Sequence, residues 1–204
     1  CRSLQVAEHH GSPDGYLPSP IVLAAALAGR TQTISIQVAA LLVPLHDPIE
    51  LAEQAATVDL LSDGRLDFGI GRGFQWGEFH KLNIPMDEAN RRFEESMDVV
   101  IKAWTSEEPF DHAGEFWTFN DMTVHPRPVQ SPHPPVWVAA ASPAGVERVA
   151  RHDWNLLIGQ GEPFHQVAEQ LENYRTAVGE AGFDYNPGRV VVARPMYTAA
   201  TEEQ

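Results

Sequence analysis

The chain has 204 residues, 43% of them hydrophobic, which suffices for one well-buried core and gives no compositional reason for a second domain. Its 28 acidic residues against 14 basic ones give a net charge of −14, and no Lys/Arg run offsets it, so nucleic acid and an anionic membrane surface are not expected partners. No stretch approaches the ~20 uninterrupted apolar residues of a membrane-spanning helix, and the single cysteine, Cys1, cannot form an intrachain disulfide and fits a reducing cytoplasm.

The apolar residues Leu4 to Ala7 predict a partial strand at the very start, so the chain is expected to be a piece of a longer protein. Ser19-Pro20 opens a helix. Residues 34 to 43 are β-branched and almost continuously apolar, the pattern of a parallel strand covered on both faces. Asp47-Pro48-Ile49-Glu50 then supplies an N-cap, a proline at the first helical position and an acid three residues past the cap. That helix carries Ile49, Ala52, Ala56 and Leu60 on one face, and Gly64 is expected to end it in the left-handed conformation. Leu66 to Gly71 reads as the next strand.

Phe93, Met97, Val100, Ile101 and Trp104 stripe another helix. Residues 105 to 135, rich in Pro, His and aromatics, form a long connection, read either as an extended insertion near the mouth that helps select a substrate or, with equal weight, as a packing insertion of no catalytic consequence. Val136 to Ala141 reads as a strand, Ser142-Pro143 caps a helix bearing Val146, Val149 and Ala150, and Leu156 to Ile158 is a strand again. A helix marked by Val167, Leu171, Tyr174 and Val178 precedes a last strand from Val190 to about Tyr197. Six strands alternating with helices imply parallel pairing with right-handed crossovers, an α/β fold. An eight-fold barrel needs about 250 residues, so one unit is expected before residue 1 and more than one after residue 204. The open doubly wound alternative lacks its glycine-rich nucleotide-binding turn.

Three places carry candidate chemistry. Glu8-His9-His10 falls at the carboxyl end of the first strand, where sites of parallel barrels form, and adjacent residues on extended chain face apart, so His9 and His10 are poorly placed to share a metal. In Leu66-Asp67-Phe68-Gly69-Ile70-Gly71-Arg72-Gly73 the apolar residues share one face and Gly69 and Gly71 the other. The glycine face is expected to leave room for a large flat ligand, with Arg72 directed at an anion. Ser142-Pro143-Ala144-Gly145 opens a helix and offers an anion cradle. Read singly, each also suits an ordinary strand end, turn or helix cap.

Taken in order, Glu8-His9-His10, Pro20 to Thr31, Val43-Pro44-Leu45-His46-Asp47-Pro48, Ala52-Glu53, Asp59-Leu60-Leu61-Ser62-Asp63-Gly64-Arg65, Phe68 to Gly73, Pro126-Arg127-Pro128-Val129-Gln130 and Pro134 to Ala139 resemble the bacterial-luciferase-like flavin monooxygenases along the whole chain. The resemblance implies a (β/α)8 TIM barrel, here a single partial barrel domain over residues 1 to 204, in which reduced FMN from a flavin reductase and O2 oxygenate a small organic substrate. It implies His9 as the catalytic histidine with Glu8 and His10 as its neighbours. Ala39 and Ala40 match a pair joined by a non-prolyl cis peptide behind the flavin ring, Gly71 lies in the flavin-binding strand, Arg72 and Ser142 match phosphate contacts, and Phe74 matches a backbone contact near the phosphate. No metal is expected. A homodimer or heterodimer and a cytoplasmic location follow from the same resemblance. Gly71, Ala141 and Gln160 replace a cysteine, an acid and a tryptophan of the light-emitting enzymes, so light emission and a long-chain aldehyde substrate are not expected. Two other readings stay open: hydride transfer with a deazaflavin, and a barrel that binds flavin without catalysis.

Overall fold

A computed structural model describes residues 2–196. Cys1 and Tyr197, both invoked above, lie outside the described residues. The chain divides into two compact units, Cys1–Val138 and Ala139–Gln204. No helix among the described residues is long and apolar enough to cross a membrane.

The first unit is built on parallel strands. β1 (Ser3–Val6) pairs with β2 (Ser35–Val38), and β2 pairs with β4 (Leu66–Gly71), with β7 (Val136–Ala139) next in order. Helices α1 (Pro20–Arg30), α2 (Pro48–Ser62) and α4 (Ala89–Thr105) make the crossovers. The cap of α2 forms as the sequence dictates, with Asp47 accepting from the N–H groups of Ile49 and Glu50 at 2.9 and 3.1 Å. At its other end Asp63 already takes the left-handed conformation, φ 54°, one residue before Gly64. The N–H of Gly64 donates to Asp59 and that of Asp63 to Leu60, at 2.9 and 3.1 Å, which closes the helix with a paired end motif.

The long strand expected over residues 34 to 43 is interrupted. β2 ends at Val38, the Ala39-Ala40 peptide is cis, β3 is only Leu41–Leu42, and Val43–Leu45 forms a 3-10 turn. Both pieces pair with β4, Ile36 opposite Leu66 and Leu41 opposite Ile70, so one extra residue is accommodated between the two pairings. Continuous apolar character marks a buried segment and carries no signal for such a break.

The core lies between β4 and the helices. Leu66, Phe68 and Ile70 are buried, and Phe68 meets Trp104 of α4 edge-on at 5.1 Å, a geometry worth about 0.5–1.5 kcal/mol beyond burial. Trp104 Nε1 donates to the Ala52 carbonyl at 2.9 Å, joining α4 to α2. Leu60, expected on the buried face of α2, is 45% exposed, and Asp59 is buried instead. Asp59 accepts from the N–H groups of Val129 and Gln130 and from Gln130 Nε2, at 2.8, 3.0 and 2.7 Å, so its charge is fully hydrogen-bonded. Arg65 likewise donates to the carbonyls of Ser62, Ala28, Thr31 and Ile34 and to Thr31 Oγ1, tying down the last turn of α1.

Residues 105 to 135 fold into the antiparallel hairpin β5 (Phe110–Ala113) and β6 (Thr118–Met122) and a run with cis peptides before Pro126 and Pro132. The hairpin packs on α4, where Glu95 accepts from the N–H groups of Glu115, Phe116 and Trp117 and Trp117 Nε1 donates to Ser96. Gln130 Nε2 donates to the carbonyl of Leu66 at 2.8 Å, at the amino end of β4, the end opposite Gly71 and Arg72. Aromatic residues of this segment also contact α4: Arg92, for example, lies 4.3 Å over the Phe116 ring.

The second unit holds α5 (Pro143–Arg151), β8 (Asn155–Ile158), α6 (Phe164–Glu180) and β9 (Val190–Val192), with β8 and β9 parallel. Val146, Val149, Ala150, Val167, Tyr174 and Val178 are buried, while Gln170 takes an inward place expected for the half-buried Leu171. The Tyr174 hydroxyl donates to the Trp154 carbonyl at 2.8 Å.

Candidate functional site

The chain leaves β1 at Val6 and places Glu8, His9 and His10 in three different environments. Glu8 is 1% exposed and fully engaged: Oε2 accepts from the N–H of Leu42 at 2.6 Å, and Oε1 accepts from Nε2 of both His10 and His46 at 2.8 Å. Its own N–H donates to the Ala40 carbonyl at 3.2 Å. Glu8 therefore holds the chain just after the cis Ala39-Ala40 peptide. Burial raises its pKa, but the hydrogen bonds and charge of His46, the Leu42 N–H and the His10 hydrogen bond outweigh that and hold it below its ordinary value.

The ligand atoms of Glu8, His10 and His46 lie within 4.8 Å of one another, close enough for a divalent ion to bridge. In the structure the carboxylate is hydrogen-bonded by both His10 and His46. Sequence reasoning gave His46 no role, since a histidine in a Pro-Leu-His-Asp-Pro turn has no periodic signature.

His9 points elsewhere. Its Nδ1 lies 2.9 Å from Glu78 Oε1, its ring meets Tyr16 edge-on at 4.7 Å and Phe74 at 6.3 Å, and its N–H donates to the Leu17 carbonyl at 3.0 Å. Gln75 Nε2 is also 3.1 Å from Nδ1. The single Nδ1 proton goes to the carboxylate, the stronger acceptor, which leaves Nε2 as the basic nitrogen. Glu78 is 3% exposed, and Oε1 also accepts from the His10 N–H at 2.8 Å, whereas Oε2 is buried without a hydrogen-bond partner. A buried carboxylate oxygen left unpaired is costly.

Glu78 comes from α3 (Trp76–Lys81), a short helix that the sequence reading did not identify. Six residues without an N-cap side chain or an apolar stripe give no helical period, and an isolated acid there looks like solvated surface. Lys81 fixes the same helix to the 9–11 segment by donating to the Gly11 carbonyl at 2.8 Å.

The strand β4 behaves differently from the expected open glycine face. A Cβ on Gly69 would come within 1.7 Å of the Val38 carbonyl oxygen, so the space is taken by neighbouring backbone where β2 breaks off. Gly71 is buried and pairs with Leu42. On the same face Asp67 lines up with Gln37 and Gln5 across β2 and β1; Gln5 donates to Gln37, and Trp137 Nε1 donates to Asp67 at 3.1 Å. Burial pushes the Asp67 carboxyl above its ordinary value, against the lowering effect of Trp137.

Arg72 follows β4, half-buried, and donates through Nε to the Gly73 carbonyl at 3.1 Å; its remaining guanidinium donors have no partner among the described residues. Phe74 is 72% exposed. In the second unit Ser142 caps α5, its Oγ accepting from the Gly145 N–H at 3.2 Å. In the first unit, the free edge of the Arg72 guanidinium is the kind of donor a phosphate ester such as that of FMN takes. Gln160 is exposed, and the Ala141 carbonyl accepts from Gln170 at 3.2 Å.

The family described as luciferase-like monooxygenase matches residues 2–204. The chain is 32% identical over 206 residues to the oxygenase component of a flavin-dependent trigonelline monooxygenase from Acinetobacter baylyi, covering 98% of this chain and 56% of that protein. Among solved structures, the monooxygenase RslO1 from Streptomyces bottropensis superposes with a TM-score of 0.87 at 34% identity, over 94% of this chain and 59% of that one. An F420-dependent secondary alcohol dehydrogenase shares the fold alone, with a TM-score of 0.80 at 18% identity over 95% of this chain and 59% of its own. The chain thus spans a little over half the length of such relatives. The α/β fold is a partial barrel of this type, and the chain belongs to the luciferase-like monooxygenase family.

Proposed function

We propose that the protein carrying this chain is a two-component, flavin-dependent monooxygenase that inserts one oxygen atom of O2 into a small organic substrate. The observation that carries the reading is His9 at the carboxyl end of β1, its Nδ1 held by the buried Glu78 at 2.9 Å and its Nε2 left basic. Support also comes from the names of relatives: one acts on trigonelline, and another, 30% identical over 79% of this chain and 45% of that protein, is an FMNH2-dependent dimethylsulfone monooxygenase from Pseudomonas putida.

Reduced FMN, when bound, supplies the electrons that send one oxygen atom to substrate and the other to water. His9 Nε2 holds or accepts a proton at the reacting face. Glu8 and His10 keep the strand end in place, and the Ala39-Ala40 peptide and Gly71 provide the flat backbone against which the ring rests. In the first unit Arg72 and the Phe74 backbone are the proposed phosphate contacts; Ser142, in the second unit, is kept as a phosphate contact on the family resemblance alone. A flavin reductase delivers the reduced cofactor, by diffusion or contact. The working enzyme is a homodimer or heterodimer in the cytoplasm.

The test is titration of the purified full-length protein with FMN and with a deazaflavin, followed by O2 uptake on addition of reduced FMN. FMN binding with substrate-dependent O2 uptake is expected. Selective binding of the deazaflavin would transfer the protein to hydride chemistry, and FMN binding without any turnover would make it a flavin carrier.

A further inference from the structure

Arg194 follows β9 directly, and the N–H of Ala193 still donates to the Ile158 carbonyl at 2.9 Å, so its side chain starts at the carboxyl ends of β8 and β9. Binding residues of parallel βα folds gather at that end. Nη1 donates to the Glu162 carbonyl at 2.5 Å, and the guanidinium lies 4.6 Å over the Phe164 ring. The other edge is unspent: Nε and Nη2 are both buried and neither has a hydrogen-bond partner. Those two nitrogens carry the parallel N–H pair that matches two oxygens of one anion.

Arg194 has no carboxylate partner among the described residues. Phe164 and Glu162 flank the start of α6, a 17-residue helix with no side-chain cap and no acid in its first turn. A cation beside an uncapped helix N-terminus adds to the positive end of the helix dipole and is unfavourable until an anion arrives. Arg189 gives the contrast in the same unit, with its donors committed to Asp153 and Asn155.

We infer that Arg194 is the recognition residue for a carboxylate on the organic substrate. The planar carboxylate takes the Nε–Nη2 edge, and the Phe164 ring, 82% exposed, offers an apolar wall to the rest of the molecule. A sulfonate has related oxygen chemistry and would be accepted less well in a planar fork. The inference deepens the monooxygenase reading and rests on it only in calling the ligand a substrate.

Thermal shift and calorimetry on the full-length protein test it with benzoate and acetate against benzamide and acetamide, each in wild type, Arg194→Met and Arg194→Lys. Benzoate or acetate should raise the wild-type Tm while the amides do not. Arg194→Met should weaken carboxylate binding about tenfold or more, with Arg194→Lys intermediate. Arg194→Met alone should leave the Tm unchanged or higher, since it removes a buried unpaired charge; Arg194→Lys serves if the methionine variant does not fold. Absence of any carboxylate effect in wild type, or its persistence in Arg194→Met, overturns the assignment. FMN and riboflavin titrations of the same variants separate the sources. If Arg194→Met costs affinity for FMN and not for riboflavin, the anion is the cofactor's phosphate and the substrate assignment falls, while FMN binding itself continues to support the enzyme reading.

Discussion

Glu78 Oε1 lies 2.9 Å from His9 Nδ1, and the two residues are 69 positions apart in the chain. The contact sets the tautomer of the histidine. Replacing Glu78 with alanine removes the acceptor and frees the ring to rotate between Tyr16 and Phe74. General acid–base groups contribute about 10²–10⁴ in rate, and losing the orienting partner should cost about 10- to 100-fold of that in kcat with little change in KM. Glu78→Gln keeps an oxygen acceptor and should recover most of the loss. Ring nitrogen shifts of 15N-histidine check the cause: His9 should show a protonated Nδ1 in the wild type and a mixture of tautomers in Glu78→Ala. An unaltered tautomer in that variant would remove Glu78 from the positioning role.

Glu8 makes the acid limb of stability. Its pKa is held below the ordinary 4.5, so the native state binds fewer protons than the unfolded chain between the two values. The stabilisation it gives is complete above 4.5 and is lost as pH falls through the native value. Glu8→Gln should therefore lower Tm at neutral pH, by the loss of charge-assisted bonds from His10, His46 and Leu42, and the gap to wild type should shrink in acid. Denaturation midpoints measured from pH 3 to 7 give the comparison.

Asp67 has the opposite sign. Burial raises its pKa above 3.8, so the native state holds the proton longer, and stability declines as pH rises through the window above that value. Asp67→Asn keeps an oxygen for Trp137 Nε1 and removes the charge. It should raise Tm at neutral pH by a small amount, with no gain below pH 3. Melting curves at the two pH values decide it; a lower Tm at pH 7 would mean that the ionised carboxylate is needed.

Gly69→Ala should be severe. The added carbon meets the Val38 carbonyl at 1.7 Å and the Ala39 Cα at 3.3 Å, both backbone, so β2 or β4 must move. Overpacking commonly costs about 1–3 kcal/mol and more where backbone must shift; a loss of about 3 kcal/mol or more by chemical denaturation is expected. A near-neutral result would show that the strand break tolerates displacement.

Local sequence decided the elements and their order. The Asp47-Pro48 cap, the Leu66 to Gly71 strand, the Ser142 cap and the alternation of strands with helices are each written in neighbouring residues, because capping, turn chemistry and apolar period act within a few positions. The ordered motifs also pointed to the family, and to the cis peptide at Ala39-Ala40. Tertiary structure alone decided which groups meet. Glu78 reaches His9, His46 joins His10 on Glu8, and Asp59 takes up the 129–130 backbone only once the chain has folded back over dozens of residues. A buried polar contact depends on the partner that satisfies it, and neither partner's own neighbourhood in the chain encodes the other.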